Sequence, residues 1–388
     1  MANPKVALFS TQFCPYSQTF VWDEVTSHKR YDIDIYTLHR VYEDRFPYDR
    51  VFTLDDKPAE KLLCQSFLYS PTRAHQIQNG NYDLLAGHFG PGSLYALPYA
   101  ERFHLPVIAT FHGFDVPLLW NFRKYHPSYW RYALLSKWML HRVDRFLAAS
   151  DELHHMLIDI GAPEEKVFTW RLGIRIPELD TIQTPQLDHP RTRKLIQVGR
   201  FVEKKGFIYT LRALNILKKK YLAENKDFDI QLTCIGDGEC KAECVKFVKD
   251  HDLDKHVRFL SNLPQNEVFK EMEASEILLC PSIVAKNGDR ESGILVAKEA
   301  AARCKPVIGT YHGGIPEIID DGKTGFIVQE RDSDAMAQKL DLLLSNDQLR
   351  CDMGMAARKK MENEYRYEDR IDALEKHYDE VIAQFNHA

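Results

Sequence analysis

The feature that most constrains this chain is an alternation that runs through it twice: short apolar runs separated by stretches with the spacing of amphipathic helices. In the first half the runs are KVALFS, DIDIYTL, YDLLAGHF, PVIATFHG, RFLAAS and KVFTWRL. Helices are expected after Tyr16, ending near Gln78, from Ser93 to His104 and within the long segment Pro117 to Arg142. Short apolar strands alternating with helices argue a parallel sheet covered on both faces. PELDTIQTPQLDHPRTR, Pro177 to Arg193, then carries three prolines and almost no apolar periodicity, which marks a connector. The alternation resumes with KLIQVGR, IQLTCIGDG, HVRFLS, ILLCPS, PVIGTY and GFIV, with helices to about Glu224, Leu253 and Ala274 and from about Ile294. The expected fold is α/β, with two doubly wound domains: 1–177 plus about 370–388, and 193–369, joined by a linker at 178–192. The tail from Asp334 is helical, and its last stretch, IDALEKHYDEVIAQF, is expected to cross back to the first domain.

Charge and cysteine usage narrow the functions. The formal net charge is −5, and halves divided near residue 185 differ by about one charge, so neither offers a basic surface to nucleic acid. Val6-Ala-Leu-Phe9 is too short for a signal h-region or a membrane span, so the protein is expected to stay in the cytoplasm. Eight cysteines show no CxxC pairing; Cys240 and Cys244, followed too closely by His251 and His256 for a zinc finger, are expected as free thiols. Asp32-Ile-Asp34 has the spelling of a metal-binding Asp-x-Asp but opens a strand, and is expected as a solvated turn.

In open α/β sheets ligands bind beyond the C-terminal ends of the strands, so two such sheets facing each other would enclose a cleft lined by strand-to-helix loops. In GRFVEKKG, Gly199 to Gly206, Arg200 and Lys205 stand five residues apart and can grip an anion with several oxygens, such as a diphosphate; a solvated basic turn explains this stretch alone equally well. In ESGILVAKEA, Glu291 and Glu299 are eight positions apart. The Ser-Gly step keeps Glu291 in a loop, and the helix begins near Ile294 and carries Glu299. The amides of Gly293, Ile294 and Leu295 then form an anion-favouring helix start between two carboxylates, each able to hold a sugar diol.

These segments, with CIGDGE, VRFLSNLP, LLCPS and KPVIGTYHGGIPEIIDDGKTGFIV, resemble the retaining glycosyltransferases of family 4, which have the GT-B fold of two facing Rossmann-like domains with an interdomain cleft. YDLLAGHFG and PVIATFHGFD agree, and YSQTFVWDEV is similar to the S-x-T-F loop of bacterial exopolysaccharide transferases. The resemblance covers nearly the whole chain. It implies that Arg200 and Lys205 hold the donor diphosphate, that the Gly293 to Leu295 amides support the phosphate and sugar ring, and that Glu291 binds sugar hydroxyls. It further implies that Glu299 binds the ribose, that the Leu263 backbone borders the base, and that His112 lies near the transferred sugar. Ser17 and Gln18 fall where the N-terminal loop faces donor and acceptor, and Asp115 is, with Glu291, the nearest carboxylate by motif. Ile294 departs from a usual glycine and is expected to place a side chain beside the phosphate; Lys298 replaces a usual aliphatic residue and is expected to face solvent.

The implied activity is transfer of a hexose from a UDP-sugar, with retention and with no metal or other cofactor, to a saccharide or lipid-linked glycan in exopolysaccharide or cell-envelope synthesis. A nucleotide-sugar epimerase or hydrolase of the same fold, and a noncatalytic sugar-nucleotide-binding protein, are the alternatives. The basic, aromatic segment Asn121 to Phe146 can lie on an anionic membrane surface, which would bring the protein to the inner face of the membrane; a helix packed on the first sheet explains it without a membrane.

Overall fold

The structure is a computed structural model that describes residues 3–15, 18–120, 129–182 and 192–387. Ser17, residues 121–128 of the basic segment and most of the connector lie outside the described residues. The chain forms two compact units, Met1–Arg171 with Glu368–Ala388, and Leu172–Tyr367. The division falls ahead of the connector because Ile174 bridges to Arg366 and packs in the core of the second unit.

Unit 1 is built on seven strands, β1 (Lys5–Phe13), β2 (Asp32–Arg40), β3 (Val51–Phe52), β4 (Leu84–His88), β5 (Val107–Phe111), β6 (Arg145–Ala148) and β7 (Val167–Thr169). They lie parallel in the order β3-β2-β1-β4-β5-β6-β7. Strands β4 and β5 are buried at every position, as a sheet covered on both faces requires. Unit 2 has six strands, β8 (Arg193–Val198), β9 (Ile230–Ile235), β10 (Val257–Leu260), β11 (Ile277–Cys280), β12 (Val307–Thr310) and β13 (Gly325–Val328). Their order is β10-β9-β8-β11-β12-β13, again parallel throughout. In each sheet the direction of winding reverses at the first strand, between β1 and β4 and between β8 and β11.

Two expectations are corrected. The helix expected to end near Gln78 is two, Pro58–Phe67 and Pro71–Gly80, because Leu68 turns left-handed (φ 62°) and Ser70 caps a new helix opened by proline. Asp34 is not in a solvated turn: it lies buried within β2, accepts from the Tyr82 hydroxyl at 2.6 Å and pairs with Arg50 at 3.4 Å. The tail is helical as expected, over Ser333–Ser345, Asp347–Glu364 and Tyr367–His387, and the last of these packs on unit 1. Among the described residues no helix is long and apolar enough to cross a membrane.

Candidate functional site

In unit 2 the loops that leave the neighbouring strands β8, β11, β12 and β13 converge at one end of the sheet, at the reversal of winding where α/β sheets bind ligands. The loop after β8 makes a tight turn over Glu203–Lys205 and closes on Gly206 in a left-handed conformation (φ 63°). A Cβ there would lie 1.9 Å from the Pro281 carbonyl oxygen, so only glycine fits against the loop that follows β11. That contact fixes two successive lysines. Lys204 turns inward, with Nζ 3.1 Å from Asp289 Oδ1, 3.1 Å from the Arg290 carbonyl and 3.2 Å from Glu291 Oε1. Lys205 Nζ lies 2.8 Å from Glu291 Oε2.

Glu291 is therefore held by two cations. Burial alone would raise its acidity limit, but Lys205 and Lys204 outweigh it and keep the carboxyl ionised well below the ordinary glutamate range. For Lys205, burial favours the neutral amine, yet Glu291 more than compensates and the ammonium is strengthened. Arg200 is exposed, makes no ion pair among the described residues, and repels the Lys205 ammonium, which puts the two cations within electrostatic reach of one another.

Glu291 lies in the loop, and the helix Leu295–Ala302 carries Glu299, as the Ser-Gly step predicts. The helix start differs in detail. The Ile294 amide bonds to the Ser292 carbonyl at 3.1 Å and is not open to an anion. The Ile294 side chain, only 2% exposed, packs in the apolar cluster with Ile315 and Ala297 instead of standing beside a phosphate. Lys298 is also buried, contrary to expectation: Nζ donates to the Leu172 carbonyl at 2.8 Å and lies 4.4 Å from the centre of the Tyr365 ring. Leu263 leads into the helix Gln265–Glu273, whose Gln265 donates to Glu299 Oε1 at 3.4 Å, so these two expected contacts share one neighbourhood.

The sequence pattern did not single out Lys204 or Glu330, and a third residue, His312, joins them. His312 follows β12, and its Nε2 accepts from the Glu291 amide at 3.0 Å. Its Nδ1 must then carry the proton, which it donates to Glu330 Oε1 at 2.7 Å, beyond the end of β13. Glu330 is fixed in turn by the Val284 amide and Arg331, both at 3.0 Å. The position of Glu291 thus depends on every one of the four converging loops.

In unit 1 the corresponding loops follow β1, β4 and β5. Gln18 precedes the helix Thr19–Val25, its amide bonded to the Pro15 carbonyl at 2.8 Å. His112 follows β5 and packs against the rings of Phe20 and Phe89, each with its centre 4.7 Å away. Asp115 is completely buried: its carboxylate accepts from the amides of Gly113 at 3.0 Å, Gly90 at 3.2 Å and His112 at 3.4 Å. Burial pushes its pKa up to about 6 against the pull of those amides. It organises the loop and has no oxygen turned to a ligand. Among the described residues no group of three His, Cys, Asp or Glu side chains could hold a metal ion.

Comparison with known proteins agrees with this division. Residues 181–360 match the glycosyl transferases group 1 family and residues 26–176 match Glycosyltransferase Family 4. The chain is 29% identical to the amylovoran biosynthesis glycosyltransferase AmsK of Erwinia amylovora, over 73% of this chain and 66% of AmsK. It is 28% identical to the putative colanic acid biosynthesis glycosyltransferase WcaL of Escherichia coli, over 73% of this chain and 67% of WcaL. These alignments span about two thirds of the relatives' own length. Among solved structures, Anabaena HepE in complex with UDP aligns with a TM-score of 0.75 and 15% identity, over 98% of this chain and all of the other. The outer core galactosyltransferase WaaB aligns at 0.68 and 14%, over 95% and 98%, and these likenesses show the GT-B fold. Matched in both of its units, the chain belongs to the family 4 glycosyltransferases with a group 1 C-terminal domain.

Proposed function

We propose that the protein transfers a hexose, with retention of anomeric configuration and without a metal, from a UDP-sugar to a saccharide or lipid-linked acceptor in exopolysaccharide synthesis. The observation that carries this reading is the contact of Lys205 with Glu291 at the β8/β11 reversal, with Arg200 exposed on the same loop as Lys205. A departing nucleoside diphosphate gains negative charge as the glycosidic C–O bond breaks, and Arg200 and Lys205 stabilise it where a metal would otherwise be needed. Glu291, kept ionised by its lysines, accepts hydroxyl hydrogen bonds from the donor sugar, and Glu299 does the same for the ribose, next to the base bordered by Leu263. His112 and Gln18 serve the transferred sugar and the acceptor.

The arrangement favours front-face attack, in which the leaving phosphate takes the acceptor proton, over a carboxylate nucleophile. Both carboxylates nearest by motif are engaged: Glu291 by two lysines and Asp115 by three amides. The names of AmsK and WcaL support an exopolysaccharide product, and HepE, solved with UDP, supports a uridine donor. The exposed Trp130 and Leu134 of the helix Trp130–Arg142 favour a membrane-bound acceptor, although Tyr132, Met139 and Leu140 of the same helix are buried in unit 1.

Thermal unfolding with UDP-, GDP- and ADP-sugars tests the donor, since a ligand at 100 times its Kd stabilises a fold by about 2.7 kcal/mol. No shift with any of them would overturn the donor site. UDP released only when an acceptor is present, with an α-linked product from an α-linked donor, is the expected outcome; UDP release without acceptor would indicate a hydrolase, and conversion of the donor into another UDP-sugar an epimerase.

A further inference from the structure

Three side chains of unit 1 form a hydrogen-bonded row that the reading above leaves unexplained. Glu24 lies near the end of the helix Thr19–Val25, His88 ends β4, and His112 follows the adjacent β5. Glu24 Oε1 is 3.0 Å from His88 Nε2, and His88 Nδ1 is 2.8 Å from His112 Nε2. The side chains of Glu24 and His88 are 3% and 2% exposed, and the two imidazoles lie edge to edge, their centres 5.0 Å apart and their planes 22° from parallel. At the far end His112 Nδ1 is buried and has no partner among the described residues.

With one proton on each imidazole and none on the Glu24 carboxylate, the row has one consistent arrangement. A carboxylate has no proton to give, so His88 Nε2 is the donor to Glu24. A neutral His88 then presents a lone pair at Nδ1, which His112 must meet with an N–H at Nε2. His112 is consequently left with a lone pair at Nδ1. We infer that Glu24 and His88 are positioning residues that hold His112 in its Nε2–H tautomer, so that Nδ1 accepts a hydrogen bond from a sugar hydroxyl. The reverse tautomer would set two lone pairs against each other at Glu24 and His88. A charged His112 would donate at both nitrogens, but burial, with His88 beside it, holds its pKa well below the ordinary histidine value.

The surrounding backbone keeps the row in place. Phe89, between His88 and the loop, has φ 62° and ψ 147°, a conformation costly for a residue with a side chain; its amide is bonded to the Thr110 carbonyl at 2.8 Å. Asp115 ties Gly90 to Gly113 across the same two loops. An acceptor nitrogen discriminates among ligand groups: it welcomes an O–H and repels an ionised phosphate oxygen, which has no proton to share. His112 therefore serves the sugar and not the diphosphate. This rests on the assignment of His112 to the transferred sugar.

The tautomer is readable directly. In the full chain labelled with nitrogen-15 histidine, two-bond proton–nitrogen correlation distinguishes the tautomers, and His112→Ala identifies the signal. The wild-type protein should show Nε2 protonated and Nδ1 bare. His88→Leu, which removes the acceptor, should shift His112 toward the other tautomer and lower kcat by about tenfold or more with the Kd of free UDP unchanged. His88→Asn, whose side-chain oxygen falls near the place of Nδ1, should restore both. An Nδ1–H signal in the wild-type protein would overturn the inference even if the leucine variant fails to fold, as would an unchanged tautomer in a folded His88→Leu. The expected tautomer in a protein that transfers no sugar would uphold the row and refute the proposed function instead.

Discussion

Glu375 fastens the returning helix to unit 1, and its replacement should appear as a pH-dependent loss of stability. The carboxylate is fully buried. It accepts from the amides of Lys29 at 2.7 Å and Arg30 at 3.0 Å, from Arg30 Nε at 3.0 Å, and from His28 Nδ1 at 3.3 Å. Burial resists ionisation, but His28 and the two amides outweigh it and bring the pKa to about 2, against an ordinary 4.5. Since the folded value lies below the unfolded one, the stabilisation is complete above about pH 4.5 and is lost as pH falls toward 2. It amounts to about 3 kcal/mol. Glu375→Gln keeps the volume and removes the charge, so it should be less stable by that amount near neutral pH. The gap to the wild-type protein should narrow by about 1.4 kcal/mol for each pH unit below 4.5. All five tryptophans, Trp22, Trp120, Trp130, Trp138 and Trp170, belong to unit 1, so denaturant unfolding followed by tryptophan fluorescence reports that unit alone. A gap of equal size at neutral pH and at about pH 3.5 would mean that Glu375 acts through packing, and would refute the reasoning.

Glu291→Gln leaves Lys205 free to meet a phosphate, so calorimetry should find free UDP bound at least as tightly as before and an intact UDP-sugar weakened by about tenfold; equal weakening of both would contradict the division of roles. His312→Leu removes the acceptor of the Glu291 amide and should raise KM for the donor while sparing free UDP, and His312→Gln, which can still accept, should recover much of the loss. Gly206→Ala drives a Cβ into the Pro281 carbonyl, and differential scanning calorimetry should show unit 2 destabilised by roughly 2 kcal/mol or more. Arg200→Met should slow turnover by roughly tenfold to a few hundredfold at constant Tm, whereas Lys205→Met should lower turnover and Tm together, because Lys205, unlike Arg200, is paired with the Glu291 carboxylate.

What the sequence disclosed was set by local rules. Alternating apolar runs carry the period of a covered parallel sheet, and a Ser-Gly step interrupts a helix wherever it occurs, so both sheets and the loop position of Glu291 were legible. Partnerships between loops were not. Whether His312 meets Glu291 depends on strand order, since β12 comes after β11 in the chain and lies beside it in the sheet. Glu24, in a helix after β1, reaches His88 because β4 is the neighbour of β1. Lys298 was misread because charge predicts exposure, whereas here a long side chain crosses an alanine-rich helix face to reach the Leu172 carbonyl. Ile294 was misread because the family prefers glycine there; its φ of −81° suits any residue, and the side chain turns into the core.

The tandem lysines would give the proposed donor site its chemical character. Lys204 and Lys205 together balance Asp289 and Glu291, so this cluster carries no net charge of its own, and Arg200 supplies the additional cation. A diphosphate arriving there competes with Glu291 for Lys205, so part of its attraction is offset in the ground state. As the sugar leaves and charge accumulates on the phosphate, that competition tilts toward the phosphate, and the Lys205 contact strengthens when it is needed. Interactions that grow along the reaction coordinate accelerate it, whereas those already complete in the ground state only tighten binding. On the proposed reading, the carboxylate that would hold the sugar and the lysine that would receive the leaving group are coupled through one 2.8 Å contact, and Lys204 would keep Glu291 paired as Lys205 turns to the phosphate.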